Sequence, residues 1–111
     1  MSQSTNDVIP TAGKITVLKL LPQTIKELEK LEKAMEEKEA EFDDILKMGR
    51  TQLQDAVPMR LGQSFGAFVH VLKRDIKRLK NVMDEMKVLN IGATAIGTAI
   101  NVDPYYLANI S

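Results

Sequence analysis

The chain has 111 residues, 44% apolar and 27% charged, and its 15 basic side chains balance 15 acidic ones, which argues for one ordinary globular domain and against a phosphate- or membrane-coating role. It has no cysteine and one histidine, His70, which excludes disulfides, thiolate metal sites, a cysteine nucleophile and a multi-histidine zinc site. No apolar run approaches the roughly 18 residues of a membrane span and the N-terminus is too polar for a signal peptide, so the expectation is a cytoplasmic protein with no metal and no cofactor.

Residues 1–7 are polar and lead into a first predicted helix over about residues 8–45, where Leu18, Leu21, Ile25, Leu28, Leu31, Met35 and Phe42 recur at steps of three, four or seven. Pro22 is expected to bend or restart it. Residues 24–44 carry four lysines against nine carboxylates, so this rod is acidic. A polar stretch follows at 47–58, with Gly49, Thr51, Gln52 and Gln54 among its residues. The second predicted helix covers about residues 61–89, and at 1.5 Å per residue it would be about 43 Å long. Its Phe65, Val69, Leu72, Ile76, Leu79, Met83 and Met86 form a strict heptad seam. Residues 60–87 hold seven basic side chains against three acidic ones. An acidic rod joined by a turn to a basic rod predicts antiparallel packing.

Residues 90–101 are small and punctuated by Gly92 and Gly97, as in a loop where backbones approach closely. Asp103-Pro104 reads as an N-cap with proline in the first helical position, opening a third helix that the sequence cuts off at Ser111. A two-rod hairpin buries one seam only. Leu20, Ile45, Leu46, Phe68, Val71 and Leu89 lie off it and need other partners. The predicted fold is therefore all-α: two long antiparallel helices plus the start of a third, part of a multi-helix bundle assembled between chains.

Three polar motifs sit at the rod ends: Gln3-Ser4-Thr5-Asn6-Asp7, Gly49-Arg50-Thr51-Gln52-Leu53-Gln54-Asp55-Ala56-Val57-Pro58, and Gly92-Ala93-Thr94-Ala95-Ile96-Gly97-Thr98. In this order, joined by long helices, they closely resemble the aspartase/fumarase superfamily over essentially the whole chain. Glutamine at position 52, where fumarases and argininosuccinate lyases usually have histidine, resembles the aspartase branch. The resemblance implies that residues 1–111 are the first part of the central helical domain of a lyase, an incomplete domain and thus a fragment. The implied reaction is an anti-elimination of ammonia from L-aspartate to give fumarate in a homotetramer, whose sites combine residues from three subunits.

Such chemistry needs donors aimed at charge developing on the substrate carboxylate. Residue by residue, the resemblance assigns substrate binding to Ser4, Thr5, Asn6, Thr51 and Gln52. Gln52 can donate from its amide but cannot act as an acid or base near neutral pH, which favours amine elimination over hydration. The family's serine-base loop, Gly-Ser-Ser-x-Met-Pro-x-Lys-x-Asn, has no counterpart here, since neither Ser-Ser nor Met-Pro occurs. No catalytic base is therefore expected within the chain, and alone it should be inactive. Ala99 departs from the family, where glycine is common, and no function is read from it.

Plainer readings stand beside these. Ser4, Thr5 and Asn6 suit a helix N-cap box, which can coexist with binding. His70, one step off the seam, suits a packed or partly solvated side chain. The basic stretch Lys73–Lys80 lacks interleaved aromatics and faces an acidic rod, so helix pairing accounts for it better than nucleic-acid binding. The alternatives to an aspartase segment are a fumarase-like hydratase segment, which Gln52 disfavours, and a non-catalytic helical oligomerisation module.

Overall fold

The computed structural model describes residues 2–110. Its elements are α1 (Thr5–Glu41), β1 (Leu46–Thr51), β2 (Gln54–Arg60), α2 (Leu61–Met86) and α3 (Pro104–Asn109). Helix dominates, as the periodicity predicts. Two compact units divide the chain: one joins the stretch up to Pro22 with the stretch from Asn81 on, and the other is Gln23–Lys80.

In the Gln23–Lys80 unit the two helices run antiparallel. Lys80 Nζ meets Glu29 Oε1 at 2.6 Å, Lys73 Nζ meets Glu36 Oε1 at 2.6 Å, and Arg60 meets Asp43 at 3.1 Å. These pairs are exposed, so each contributes only about 0–1 kcal/mol, and their main effect is on register and partner choice. Apolar burial does more: among the described residues Ile25, Val69 and Ile76 are the buried hydrophobic side chains, and Phe42 packs on Phe65 with ring centroids 5.3 Å apart. Gly62 lets the backbones close, because a Cβ there would stand 3.0 Å from Asp43 Cα. At Gly66 a side chain would collide with the Glu39 carboxylate.

The α2 seam is as predicted, every position from Phe65 to Met86 being buried or half-buried. The α1 stripe needs one correction. Leu31 is 42% exposed, while Glu32 and Glu39 are partly covered, so the seam runs Ile25, Leu28, Glu32, Met35, Glu39, Phe42. Leu31 and Glu32 fit a three-four step equally well on paper. Glu32 gains the lysine opposite, with Lys73 Nζ at 3.9 Å.

Four boundaries also differ. The first helix opens at Thr5, ends at Glu41 and continues through Pro10 and Pro22 without restarting. The second helix stops at Met86, and the third ends at Asn109 with Ile110 as its C-cap. The polar stretch 47–58 is not a plain loop but most of an antiparallel β-hairpin. Its two-residue turn, Gln52-Leu53, has φ of 50° and 62°, the left-handed geometry of a hairpin turn without the usual Asn-Gly signal. A register shift lies between Met48 and Arg50, and there Gly49 is needed: a Cβ on it would stand 2.8 Å from the Val57 carbonyl oxygen.

In the other unit, residues 90–101 form the expected loop. Asp103 caps α3, its carboxylate accepting the Tyr105 amide at 2.8 Å, with Pro104 next, as predicted. Ala99 has φ of 58°, so its departure from glycine leaves an L side chain in a left-handed conformation. Of the six apolar residues predicted to lack seam partners, Leu20, Ile45, Leu46, Phe68, Val71 and Leu89, all are exposed.

Two stability measurements follow. Ala99→Gly should stabilise the chain by up to about 1 kcal/mol in urea denaturation, because relief of left-handed strain outweighs the added unfolded-state entropy. Ile25→Ala should cost about 2–4 kcal/mol, whereas Leu31→Ala should cost about 0.5 kcal/mol or less. Equal losses at 25 and 31 would refute the seam as drawn.

Candidate functional site

Ser4 sets the start of α1. Its Oγ accepts the Asn6 amide at 3.2 Å, and Asp7 Oδ1 accepts the Ser4 amide at 2.7 Å. Together the two bonds make a variant of the capping box, with aspartate in the fourth place and the hydroxyl taking the Asn6 amide in place of the Asp7 one. The plainer reading of the motif is thus correct for Ser4. Its hydroxyl proton stays available to a ligand.

Thr5 and Asn6 are exposed on the first turn. Among the described residues the Thr5 hydroxyl has no hydrogen-bond partner. Asn6 Nδ2 donates to the Ala95 carbonyl at 2.7 Å. A carbonyl partner fixes that atom as the amide nitrogen, so Asn6 Oδ1 is the end left to accept a proton from outside. The first motif thereby meets the third. Further bonds lace the same segments together: Asp103 N to Ser2 Oγ at 3.1 Å, Gln3 Nε2 to Tyr106 Oη at 2.9 Å, and Lys14 Nζ to Val88 O and Asn90 Oδ1 at 2.6 and 2.7 Å.

Beneath the exposed pair lies Asp7, which has no exposed surface. Its Oδ2 accepts the Gly92 amide at 3.2 Å and the Thr94 amide at 3.3 Å. Burial alone would raise its pKa, but the amides of Ser4, Thr94 and Gly92 favour the charged form and leave it below the ordinary 3.8. Among the described residues, the Thr11 and Thr94 hydroxyls are buried without a hydrogen-bond partner. Sequence reasoning singled out Ser4, Thr5 and Asn6 but passed over Asp7. The signal was present in Ser4-x-x-Asp7, the capping-box spacing.

Thr51 and Gln52 belong to the Gln23–Lys80 unit, whereas Ser4, Thr5 and Asn6 belong to the other. Thr51 ends β1, paired with Gln54, and Gln52 opens the turn; both are exposed. Arg50 and Asp55 brace the hairpin at 3.2 Å. The rest of the motif is thus structural, with Gly49, Arg50 and Asp55 presenting Thr51 and Gln52 at an outward tip.

A general base needs a free lone pair. Asp7 spends both oxygens on amides, and His70 is exposed on α2. Lys73 is held above its ordinary 10.5 by the hydrogen bond to Glu36, so it is a committed cation. Among the described residues no group of three or more His, Cys, Asp or Glu side chains is placed to hold a metal ion. No helix among them is long and apolar enough to cross a membrane.

Comparison with known proteins adds a family and several relatives. A family model described as "Lyase" matches residues 1–110. The aspartate ammonia-lyase of Bacillus subtilis is 53% identical over 110 residues, covering 99% of this chain and 23% of the relative. That of Escherichia coli K12 is 48% identical over 104 residues, covering 94% and 22%. A fumarate lyase:delta crystallin from Brucella melitensis, solved bound to cobalt, matches with a TM-score of 0.83 and 49% identity over 96% of this chain and 23% of that one. A class II fumarase from Schistosoma mansoni matches with a TM-score of 0.82 and 31% identity, over 96% and 22%. The chain therefore spans less than a quarter of the length of these relatives.

The lowered Asp7 pKa fixes a pH dependence. A carboxylate whose folded pKa lies below its unfolded one stabilises the fold above the unfolded value, and this is lost as pH falls below 3.8 through the folded value. The thermal midpoint should therefore fall on acidification below that pH, and Asp7→Asn should remove part of this dependence. An Asp7→Asn profile parallel to wild type at every pH would refute the assignment.

Proposed function

The chain belongs to this lyase family, and from that membership we propose that it forms part of an aspartate ammonia-lyase, reversibly eliminating ammonia from L-aspartate to give fumarate. The names and 48–53% identities of the bacterial relatives support this substrate. The observation that carries the site is the first turn of α1, where the unpartnered Thr5 hydroxyl stands beside an Asn6 whose Nδ2 is committed to Ala95.

In the elimination a base removes a proton from the carbon next to the side-chain carboxylate, and charge accumulates on that carboxylate. Fixed donors stabilise the transition state more than the ground state. Ser4 and Thr5 supply hydroxyl protons at the positive end of α1, and Thr51 and Gln52 supply a hydroxyl and an amide from the hairpin tip. Asn6 Oδ1 is an acceptor and suits the substrate ammonium. Asp7 offsets much of the helix dipole, so a substrate carboxylate depends on these side-chain donors more than on the backbone. The base comes from outside these 111 residues. The exposed Leu20, Leu46, Phe68 and Val71 then pack in a multi-helix bundle between copies, a homotetramer in the cytoplasm, with no cofactor.

Ultraviolet detection of fumarate tests the reading, with L-aspartate and L-malate in parallel. The 111-residue chain alone should be silent with both, and the full-length protein should release fumarate from L-aspartate. Fumarate from the chain alone would reveal a base within it, and a full-length response to malate only would establish the hydratase alternative. Thr5→Val in the full-length protein should lower kcat about 100-fold, the loss for one transition-state donor. Elimination should not require Gln52→His; activity in that variant alone would overturn the role given to Gln52.

A further inference from the structure

We infer that Asp7 is a positioning residue, one that locks the 92–95 loop against the first turn of α1 and thereby sets the orientation of Thr5 and Asn6. Its functional consequence rests on the substrate-binding reading of that turn.

Capping does not account for what Asp7 does. A capping box uses one carboxylate oxygen, and Oδ1 fills that part by accepting the Ser4 amide. Oδ2 is left over, and it accepts two amides from a segment 85 and 87 residues away. The adjacent side chain bonds back in the opposite sense, Asn6 Nδ2 donating to Ala95 O. Two neighbouring residues of α1 thus grip three residues of the loop, Asp7 accepting from Gly92 and Thr94 and Asn6 donating to Ala95. A grip at two points with opposite polarity fixes the rotation of the Asn6 amide, and with it the direction of Oδ1.

The loop backbone bears the mark of this grip. Thr94 has φ of 60°, a conformation that β-branched residues rarely adopt, and it persists only where the surroundings over-determine it. The amide of that same residue bonds to Asp7. Asp7 itself is wholly buried, so it acts on a ligand through Asn6 and the loop and not by contact.

Asp7→Asn in the full-length protein is the test, because its NH2 group opposes the incoming amides. Amide hydrogen exchange at Gly92 and Thr94 should quicken at least about tenfold. The kcat for fumarate release should fall about 100-fold, the effect of displacing reacting groups by about 1 Å, with little change in KM. An Ala99→Gly background separates position from stability: the thermal midpoint should recover while kcat does not. If kcat recovers with the midpoint, or if Asp7→Asn leaves kcat unchanged, the positioning role is overturned. A wild-type protein that releases no fumarate overturns the aspartase reading alone, and the lock is then decided by exchange. Should the variant not fold, wild-type exchange decides, since Gly92 and Thr94 amides as fast as exposed loop amides would refute the lock.

Discussion

A carboxylate with no exposed surface has to be solvated by the protein around it, and Asp7 meets that requirement with three backbone amides. One amide comes from the residue that caps its own helix and two from a loop remote in sequence. The charge therefore stays buried only while both segments are in place. Opening the loop would expose two unpaired amides and leave the carboxylate short of donors, so the loop and the helix start behave as one element. Thr5 and Asn6 ride on that element at the surface. Their rigidity comes from beneath.

The second unit depends on a different balance. Its helices bury Ile25, Val69 and Ile76 at intervals along the antiparallel pair, and the acidic and basic faces add attraction without much net stability. Glu32 and Glu39 occupy seam positions where leucine would bury more area. They specify the partner face instead, since Lys73 answers Glu32 and Glu36 and the glycine at 66 leaves room for Glu39. Glutamates on a seam lower the apolar contact and raise its selectivity. The apolar residues left exposed on the same helices are consistent with burial area being completed elsewhere.

What was legible in the sequence follows the range over which each signal acts. The α2 heptads, the Asp103-Pro104 cap and the glycine-punctuated loop are written in neighbouring residues, and each stands where it was read. The hairpin escaped because its turn uses Gln52-Leu53, not residues that favour positive φ, and because exposed strands carry no alternation to read. Leu31 was misplaced because periodicity tolerates a one-residue slip that only the lysine on the facing helix resolves. Asp7 was visible as a capping residue, but its bonds to Gly92 and Thr94 depend on a tertiary approach that no local pattern encodes. Ser4, Thr5 and Asn6 are singled out by motif, whereas the commitment of the Asn6 nitrogen to Ala95 depends on a tertiary contact.

The way the two units are threaded has a kinetic consequence. The Gln23–Lys80 unit is continuous in sequence, so its helices and hairpin can pair as soon as that stretch exists. The other unit is made from the two ends of the chain, and its bonds from Gln3 to Tyr106 and Asp7 to Thr94 close loops of 103 and 87 residues. Closing such loops directly is entropically unfavourable and slow. Once Glu29 has met Lys80, however, most of the intervening chain is already ordered and the effective loop is short. During synthesis the Ser-Thr-Asn turn emerges before the 92–95 loop and has nothing to lock onto until that loop has also emerged. That helix start is thus made before the Gln23–Lys80 unit and completed only after it.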